Sequence, residues 1–459
     1  MSPAYKSTPD EIKGMPSGIP YIVGNEAAER FSFYGMKAIL MTFLSVHVFM
    51  TMDYEDTGEK FNKDQAEALA TQWIHWFNVA VYILPFIGAT LSDWLFGKYK
   101  TILVLSFVYC LGHLTLAIDE SVWGMGFGLA LIALGAGGIK PCVSAHVGDQ
   151  FGKANQDLLP RVFSWFYFSI NVGAFASSLL IPLVLAATVE EYGGAIAFGI
   201  PGILMFIATL MFWMGRNKFI HVPPRRERFF HDNLNPEALS AISALLPIYL
   251  LISVFWSCFD QTASRWVAQA GNMNGMLGEI KILPSQMQSL NPIFVLIYIP
   301  LFTYLVYPLI DKVFRLTPLR KMGIGFFVTA AAFSCSASIQ TNLDAGIETH
   351  ILWQIIPYML LTAGEILVSI TALEFSYTQA PKSAKSIVMA FFLGSVALGN
   401  VITAITNSVI TNDDGSSILP GAQYYWFFAA LVFLAGILFI GAAKIYWGRC
   451  FLDTTDLAA

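Results

Sequence analysis

The chain has 459 residues, of which 56% are hydrophobic and 12% charged, and its formal net charge is −5. Ordinary soluble domains carry roughly 25% charged residues, so this composition, with a mean hydropathy of +0.61, excludes a soluble globular protein and indicates an integral membrane protein. Clustered basic residues of the kind that bind nucleic acid are absent from the sequence pattern. The five cysteines lack ligand spacing, so we expect neither a disulfide framework nor a metal site, and no cofactor.

Twelve apolar runs are long enough to cross a hydrocarbon core of about 30 Å as helices. They form two sets of six, so the predicted fold class is an all-α membrane protein with two six-helix bundles. The runs lie near residues 21–46, 67–92, 100–118, 122–147, 161–187 and 195–215, and then near 241–269, 289–310, 321–340, 349–378, 385–411 and 423–447.

The polar segments between and around these runs predict the domain boundaries. A proline-containing, scattered-charge segment opens the chain without an apolar signal-peptide core, so it is expected to stay uncleaved. A basic connection rich in arginine separates the two bundles. The predicted parts are an N-terminal segment 1–20, a first bundle 21–215, a linker 216–240, a second bundle 241–447 and a tail 448–459.

The charge of the connecting segments predicts the orientation. Lys and Arg prefer the cytoplasmic side of a membrane, and basic connections alternate with acidic ones along the chain. Both termini are therefore expected in the cytoplasm, and this layout is that of the major facilitator superfamily, with its substrate site near mid-membrane. The basic connections are 98–100, 216–228, 312–321 and 382–385, and the acidic ones are 53–56, 190–191, 344–348 and 413–414.

The most informative stretch is 25–35, which places two acids and one base inside the first apolar run. On a helix, Glu26, Glu29 and Arg30 share one face. A structural ion pair between Glu26 and Arg30 is one interpretation. It leaves Glu29 unexplained, because one arginine cannot fully neutralise two carboxylates, so we interpret the cluster as a proton acceptor site.

Two further basic residues interrupt apolar helices. Lys140 follows three glycines and precedes Pro141 in G-A-G-G-I-K-P-C, where glycines permit close helix approach. A lysine near a helix end would extend to the interface, but this position is well inside the run, which favours a cavity-facing role. His75 in helix 2 is either an interhelical hydrogen-bond partner or a proton carrier.

Helices 7 and 10 each leave a choice open. In helix 7, Trp256 and Asp260 share one face, and the alternative to a functional role for Asp260 is a packing pair with Arg265. In helix 10, Glu365 and Glu374 are nine residues apart, about 180° around a straight helix. Depth favours Glu365, but spacing alone does not decide between the two glutamates.

Five blocks within these helices combine charged, aromatic and glycine residues. They are Glu26-x-x-Glu29-Arg30-Phe31-x-Phe33-Tyr34-Gly35, Gly137-Gly138-Ile139-Lys140-Pro141-Cys142 through Asp149-Gln150-Phe151, Phe166-Tyr167-x-x-Ile170-Asn171-x-Gly173, Phe255-Trp256 through Asp260-Gln261, and Glu374-Phe375-Ser376-Tyr377-x-Gln379-Ala380-Pro381. Together they resemble the signatures of the proton-coupled oligopeptide transporter (POT/PTR) family, with Phe33 where tyrosine is usual. With the helix count, the resemblance covers nearly the whole chain.

The resemblance implies roles for individual residues. The carboxylate of a peptide would be received by Arg30 and Lys140, and its amino group by Glu374, which resolves the choice in helix 10. Tyr34, Tyr82 and Asn171 would bind the peptide amides, and Trp256 and Phe392 would form the walls. Proton coupling would involve Glu26, Glu29, Arg30, His75 and Asp260.

The function implied is a proton-driven symporter that imports di- and tripeptides by alternating access, with protons as co-substrate and membrane lipid as surroundings. The expected form is a monomer that crosses the plasma membrane, a bacterial inner membrane, many times. Alternatives are a transporter of nitrate, a drug or a peptidomimetic, and a sensor that binds peptides without transport. An intramembrane enzyme is disfavoured, since the sequence has no HExxH or GxSxG motif.

Overall fold

A computed structural model gives the structure of the chain and describes residues 5–9, 11–54, 59–224, 236–381, 385–412 and 416–448. Several residues used to predict orientation and boundaries lie outside these ranges. They are Glu55, Asp56, Arg225, Arg226, Arg228, Lys382, Asp413, Asp414 and the tail after 448.

Within the described residues, twelve helical segments are long and apolar enough to cross a membrane, which confirms the predicted all-α fold class. Most begin or end within a few residues of the predicted runs. The seventh segment starts five residues earlier than predicted, because Pro236 occupies its first helical position, where a missing N–H costs nothing. The segments are α1 Ile19–Thr51, α2 Lys63–Phe96, α3 Lys98–Ile118, α4 Val122–Asp149, α5 Gln156–Tyr192, α6 Ala195–Asn217, α7 Pro236–Gly271, α8 Pro284–Asp311, α9 Pro318–Asp344, α10 Ile351–Thr378, α11 Ile387–Ile410 and α12 Ala422–Ile445.

Several of these segments are not regular α-helices throughout. Four contain a π-helical stretch, a feature frequent at functional sites, and α7 is interrupted by a 3-10 turn at Asp260–Ala263. The described strands form two short hairpins, in which β1 pairs with β2 and β3 with β4. The π stretches are Phe43–Val48, Leu91–Phe96, Phe302–Val306 and Ile366–Ile370, and the strands are β1 Asp53–Tyr54, β2 Glu59–Lys60, β3 Met276–Leu277 and β4 Ile280–Lys281.

The described helices form two compact units. The first holds the chain up to Ile39 and again from Ala80 through α6, and the second holds Leu40–Val79 together with α7 to α12. This grouping differs from the predicted bundles 21–215 and 241–447, because the second part of α1 and the first part of α2 pack with the later helices. The apolar pattern of a helix does not indicate which neighbour covers each of its halves, so sequence alone could not detect this.

Close helix packing in the first unit depends on glycine. A Cβ atom added to Gly88 of α2 would lie 2.5 Å from the Cα of Gly138 of α4 and would collide with its carbonyl oxygen. Elsewhere on the same interface, a Cβ on Gly137 would lie 2.8 Å from the Val81 carbonyl oxygen. The backbones of α2 and α4 therefore touch, and this contact lies one turn or less from Lys140.

We expect Gly88→Ala to destabilise the protein, because the obstructing atoms belong to backbone and cannot rotate away. Overpacking of this kind typically costs about 1–3 kcal/mol, and the apparent melting temperature of the purified protein in detergent should fall. Gly199→Ala in α6 is the matched control, since nothing lies within 4 Å of its added Cβ and alanine favours a helix by up to about 1 kcal/mol over glycine. Equal melting temperatures for the two variants would contradict the contact.

Candidate functional site

The charged cluster of α1 is built from one guanidinium and two carboxylates. Arg30 Nε donates a hydrogen bond to Glu26 Oε1 at 2.6 Å and lies 2.9 Å from Glu29 Oε2. The exposed fractions are 2% for Glu26, 1% for Glu29 and 8% for Arg30. One buried cation is thus shared by two buried anions, which leaves a formal charge of −1 when both acids are ionised.

Helix α5 packs against the turn of α1 that carries this cluster. A Cβ added to Gly173 would lie 2.9 Å from the Ala27 carbonyl oxygen, 3.1 Å from the Phe31 nitrogen and 3.3 Å from the Arg30 Cβ. The absence of a side chain at Gly173 therefore brings the two backbones together on the turn of α1 that carries Arg30. The glycine of the Ile170-Asn171-x-Gly173 block is therefore required for this close approach of α5 to α1.

Lys140 of α4 lies between aromatic rings of two other helices. Its Nζ is 4.6 Å from the ring centroid of Phe33 on α1 and 4.7 Å from that of Tyr82 on α2, within the range of cation–π attraction. The side chain is half-buried inside the first unit. The Lys140 side chain therefore lies among the helices of the first unit and does not extend toward a helix end.

Tyr34 and Asn171 complete the predicted residues of the first unit. Tyr34 is half-buried, its ring meets that of Phe33 edge to face at 5.4 Å, and it interacts electrostatically with Arg30. The side chain of Asn171 is 7% exposed and donates to the Tyr167 carbonyl oxygen one turn earlier on α5. The structure thus gathers Glu26, Glu29, Arg30 and Tyr34 on α1. Lys140 contacts the ring of Phe33 on the same helix and also the ring of Tyr82 on α2.

His75 makes interhelical hydrogen bonds in the second unit. Its Nδ1 lies 2.6 Å from Asn400 Oδ1 on α11, and its Nε2 lies 3.0 Å from Ser264 Oγ on α7. Asn400 Nδ2 in turn donates to Asp260 Oδ2 at 2.7 Å. His75 is therefore an interhelical hydrogen-bond partner in this structure. The side-chain amide of Asn400 also connects it to Asp260.

Asp260 and Arg265 have separate partners on α11. Arg265 Nε and Nη2 both donate to Asn407 Oδ1, at 3.0 and 2.6 Å, whereas Asp260 accepts from Asn400. The interruption of α7 at Ser264, whose φ is −131° and ψ −94°, lies between the two residues. Asp260 and Arg265 thus each bond to a different asparagine of α11.

The two glutamates of α10 have different surroundings. Glu365 accepts from Asn291 Nδ2 of α8 at 2.7 Å, and Glu374 is exposed at its side chain. The π stretch Ile366–Ile370 lies between them. Because a π turn rotates less per residue than an α turn, the 180° separation calculated for a straight helix does not apply.

Trp256 and Phe392 are buried in the second unit, with exposed fractions of 8% and 4%. The Phe392 ring meets that of Tyr249 at 6.3 Å, and the Tyr249 hydroxyl donates to Ser376 Oγ, two residues after Glu374. The indole Nε1 of Trp256 is buried without a hydrogen-bond partner among the described residues, which is uncommon for a polar group.

Sequence reasoning missed the asparagines of the second unit. Asn78, Asn291, Asn400 and Asn407 were not selected, although each interrupts an apolar run. Polar side chains inside membrane helices bond across helices or serve function, so the signal was present. What the spacing could not supply was the identity of their partners on distant helices.

Comparison with known proteins identifies relatives across most of the chain. The family model described as the POT family matches residues 99–235 and 227–427. Peptide transporter 3 of Caenorhabditis elegans is 33% identical over 75% of this chain and 53% of its own length. Solute carrier family 15 member 2 of Oryctolagus cuniculus is 36% identical over 75% of this chain and 51% of its own.

The chain therefore spans about half the length of the curated relatives it matches. A solved structure matches almost end to end. The crystal structure of an auto-inhibited POT family peptide transporter is 35% identical, covers 95% of this chain and 99% of that one, and superimposes with a TM-score of 0.85. The similarity thus extends through the described fold as well as the sequence blocks.

Proposed function

Because the chain belongs to the POT family, we propose that it is a proton-driven symporter that imports di- and tripeptides by alternating access. The observation that carries this proposal is the buried guanidinium of Arg30 between the carboxylates of Glu26 and Glu29. Placing three charges on one face of a membrane helix costs free energy, and such residues usually serve a function. A peptide carboxylate would compete with the two acids for one arginine, and this competition would link peptide binding to proton binding.

The proposed peptide site binds the charged amino and carboxylate ends of a peptide. A di- or tripeptide always carries one cationic and one anionic end, whereas its side chains vary, so a site that binds the ends within aromatic walls accepts many peptides. In this proposal Arg30 and Lys140 bind the carboxylate and Glu374 the amino group. Tyr34, Tyr82 and Asn171 bind the amides, and Trp256 and Phe392 form the walls. The Nε1 of Trp256 has no hydrogen-bond partner in the part of the chain that the structure describes, which supports its role, since a bound peptide carbonyl would accept its hydrogen.

The proton path involves Glu26, Glu29 and Arg30 in the first unit and His75 with Asp260 in the second. His75 and Asp260 both bond to Asn400, so a change of charge on one alters the hydrogen bonds of the other. The proton is the proposed co-substrate, and no cofactor is proposed. The protein is proposed to act as a monomer.

We further propose that both termini face the cytoplasm and that the membrane is the plasma membrane, a bacterial inner membrane. The alternation of basic and acidic connections supports this orientation. The bundles 21–215 and 241–447 are proposed to alternate access, with the linker 216–240 and the segments 1–20 and 448–459 on the cytoplasmic side.

Uptake of labelled dipeptide into proteoliposomes, with and without an inward proton gradient, tests the proposal. We expect accumulation above the external concentration only with the gradient. Binding without uptake would instead indicate a peptide sensor. Proton-driven uptake of nitrate or a drug with no competition from a dipeptide panel would indicate another solute.

A further inference from the structure

The side-chain amide of Asn400 on α11 joins helices α2 and α7. Its Oδ1 lies 2.6 Å from His75 Nδ1 and 3.0 Å from Asn78 Nδ2. Its Nδ2 donates to Asp260 Oδ2 at 2.7 Å and to the Val396 carbonyl oxygen at 3.0 Å. Asn400, His75 and Asn78 are all 0% exposed. The amide thus uses both of its hydrogens and both lone pairs of its oxygen.

The chemistry of these partners determines which way the amide points. A main-chain carbonyl oxygen only accepts, so Nδ2 must face Val396, and it then also faces Asp260. The Val396 carbonyl holds this orientation whether or not Asp260 is protonated. Oδ1 therefore faces His75 and accepts a hydrogen from its Nδ1. In the neutral ring, Nε2 is then the nitrogen with the free lone pair, and it accepts from Ser264 Oγ at 3.0 Å.

The backbone of α11 lies close enough to α7 for this bridge because residue 399 is glycine. A Cβ added to Gly399 would lie 2.6 Å from the Trp256 Cβ and 2.8 Å from the Ser257 nitrogen. Any side chain there would push α11 away from α7. Asn400, the next residue, would then lose its contact with Asp260.

We propose that Asn400 is a positioning residue for proton coupling: it holds His75 as the Nδ1–H tautomer and so makes Nε2, beside Ser264 Oγ, the ring nitrogen at which His75 takes up a proton. A proton added to Nε2 turns it from acceptor to donor. The Ser264 hydroxyl must then rotate its hydrogen away and accept instead. Proton uptake on α2 thereby changes a hydrogen bond at the interruption of α7.

The charged groups around His75 come from three helices. Asp260 reaches it through Asn400, and Glu365 of α10 interacts electrostatically with Asp260. Arg265 of α7 adjoins Ser264, and Glu67 lies about two turns earlier on α2. A variant that tests Asn400 must leave these charges unchanged, and Asn400→Leu does so.

Nitrogen-15 NMR of histidine-labelled protein in lipid measures the tautomer directly. The chain has seven histidines, and the difference from His75→Gln assigns the resonances. With the ring neutral, we expect a protonated Nδ1 and an unprotonated Nε2. In Asn400→Leu, which removes the acceptor oxygen of Nδ1 without adding a charge, the two tautomers should become mixed. An Nε2–H ring in the unaltered protein overturns the proposal, as does an unchanged spectrum in Asn400→Leu.

Transport tests the consequence, which rests on the proposed function. Asn400→Leu should lower the rate of proton-driven uptake about tenfold, since losing the hydrogen bond that selects the Nδ1–H ring changes the tautomer ratio by about that factor. The peptide KM should change less than about twofold, since Asn400 is not in the proposed peptide site. Asn407→Leu is the matched control. It also removes an α11 hydrogen bond to α7, but Arg265 lines an open cavity of about 460 Å³, where water can solvate it.

Asn407→Leu should change both quantities less than about twofold. Equal slowing by the two variants would mean that Asn400 serves only helix packing, which overturns the coupling role. An unaltered protein that transports no peptide would refute the proposed function, while the NMR result would still decide the tautomer.

Discussion

Glu26→Gln and Glu29→Gln are each expected to abolish uphill accumulation of peptide driven by a proton gradient while sparing counterflow, the exchange of labelled for unlabelled peptide at equal concentrations. In the structure Arg30 lies within 3 Å of both carboxylates, at 2.6 and 2.9 Å. Protonation of one acid frees part of the guanidinium for the peptide carboxylate, so peptide and proton bind cooperatively. Exchange requires only the peptide-bound state, which a neutral glutamine permits.

The size of the effect follows from the charge moved. One net charge moving inward yields about 2.3 kcal/mol per 100 mV. Since about 1.4 kcal/mol is a factor of ten, a single proton supports a peptide gradient of about 40- to 50-fold before any pH gradient is added. In either variant, accumulation in proteoliposomes should fall from this level to the external concentration.

Two further variants make the measurement specific. Arg30→Gln should impair both accumulation and counterflow, because the carboxylate anchor is lost with the charge. Glu190→Gln, at an exposed position near the end of α5, removes a carboxylate outside the cluster and should leave both activities unchanged. If the Glu26 and Glu29 variants both concentrate peptide at normal rates, the proton site lies elsewhere, and His75 and Asp260 are next to be tested.

Glu374→Gln is expected to weaken binding of free dipeptides far more than binding of N-acetylated ones, because only the free amine needs the carboxylate. A hydrogen bond to a charged group contributes about 1.5–3 kcal/mol, which corresponds to about tenfold to more than a hundredfold in affinity. Competition by each ligand against labelled dipeptide, measured on the purified protein, gives the two affinities. Equal losses for both ligands would refute the assignment of Glu374 to the amino group.

Glu365→Gln is the matched control on the same helix. Glu365 already accepts from Asn291 of α8, and glutamine keeps an acceptor oxygen for that bond. Free and acetylated peptides should therefore be affected alike. If Glu365→Gln weakened the binding of free dipeptides only, the peptide amino group would be assigned to Glu365 and not to Glu374.

Hydropathy was sufficient to predict the twelve membrane-spanning helices found among the described residues. The reason is that the bilayer imposes a length of about 20 apolar residues on each crossing, so the signal is local. The charged cluster of α1 was also predictable, because Glu26, Glu29 and Arg30 are at most four residues apart and helical geometry alone brings them together.

Partners that come from different helices could not be predicted in this way. Helical periodicity indicates which face carries Asp260 or His75, but it does not indicate that one asparagine on α11 bonds to both. The same holds for Lys140, whose position between the rings of Phe33 and Tyr82 depends on how closely α1, α2 and α4 approach.

The irregular parts of the helices were decided only by the tertiary structure. The π stretch between Glu365 and Glu374 changes which faces the two acids occupy, and the interruption at Ser264 separates Asp260 from Arg265. Neither stretch has a local signature such as proline, because each is stabilised by packing against neighbouring helices. Local spacing therefore determined the helices and the α1 cluster, whereas long-range packing determined the partners of His75, Asp260 and Lys140.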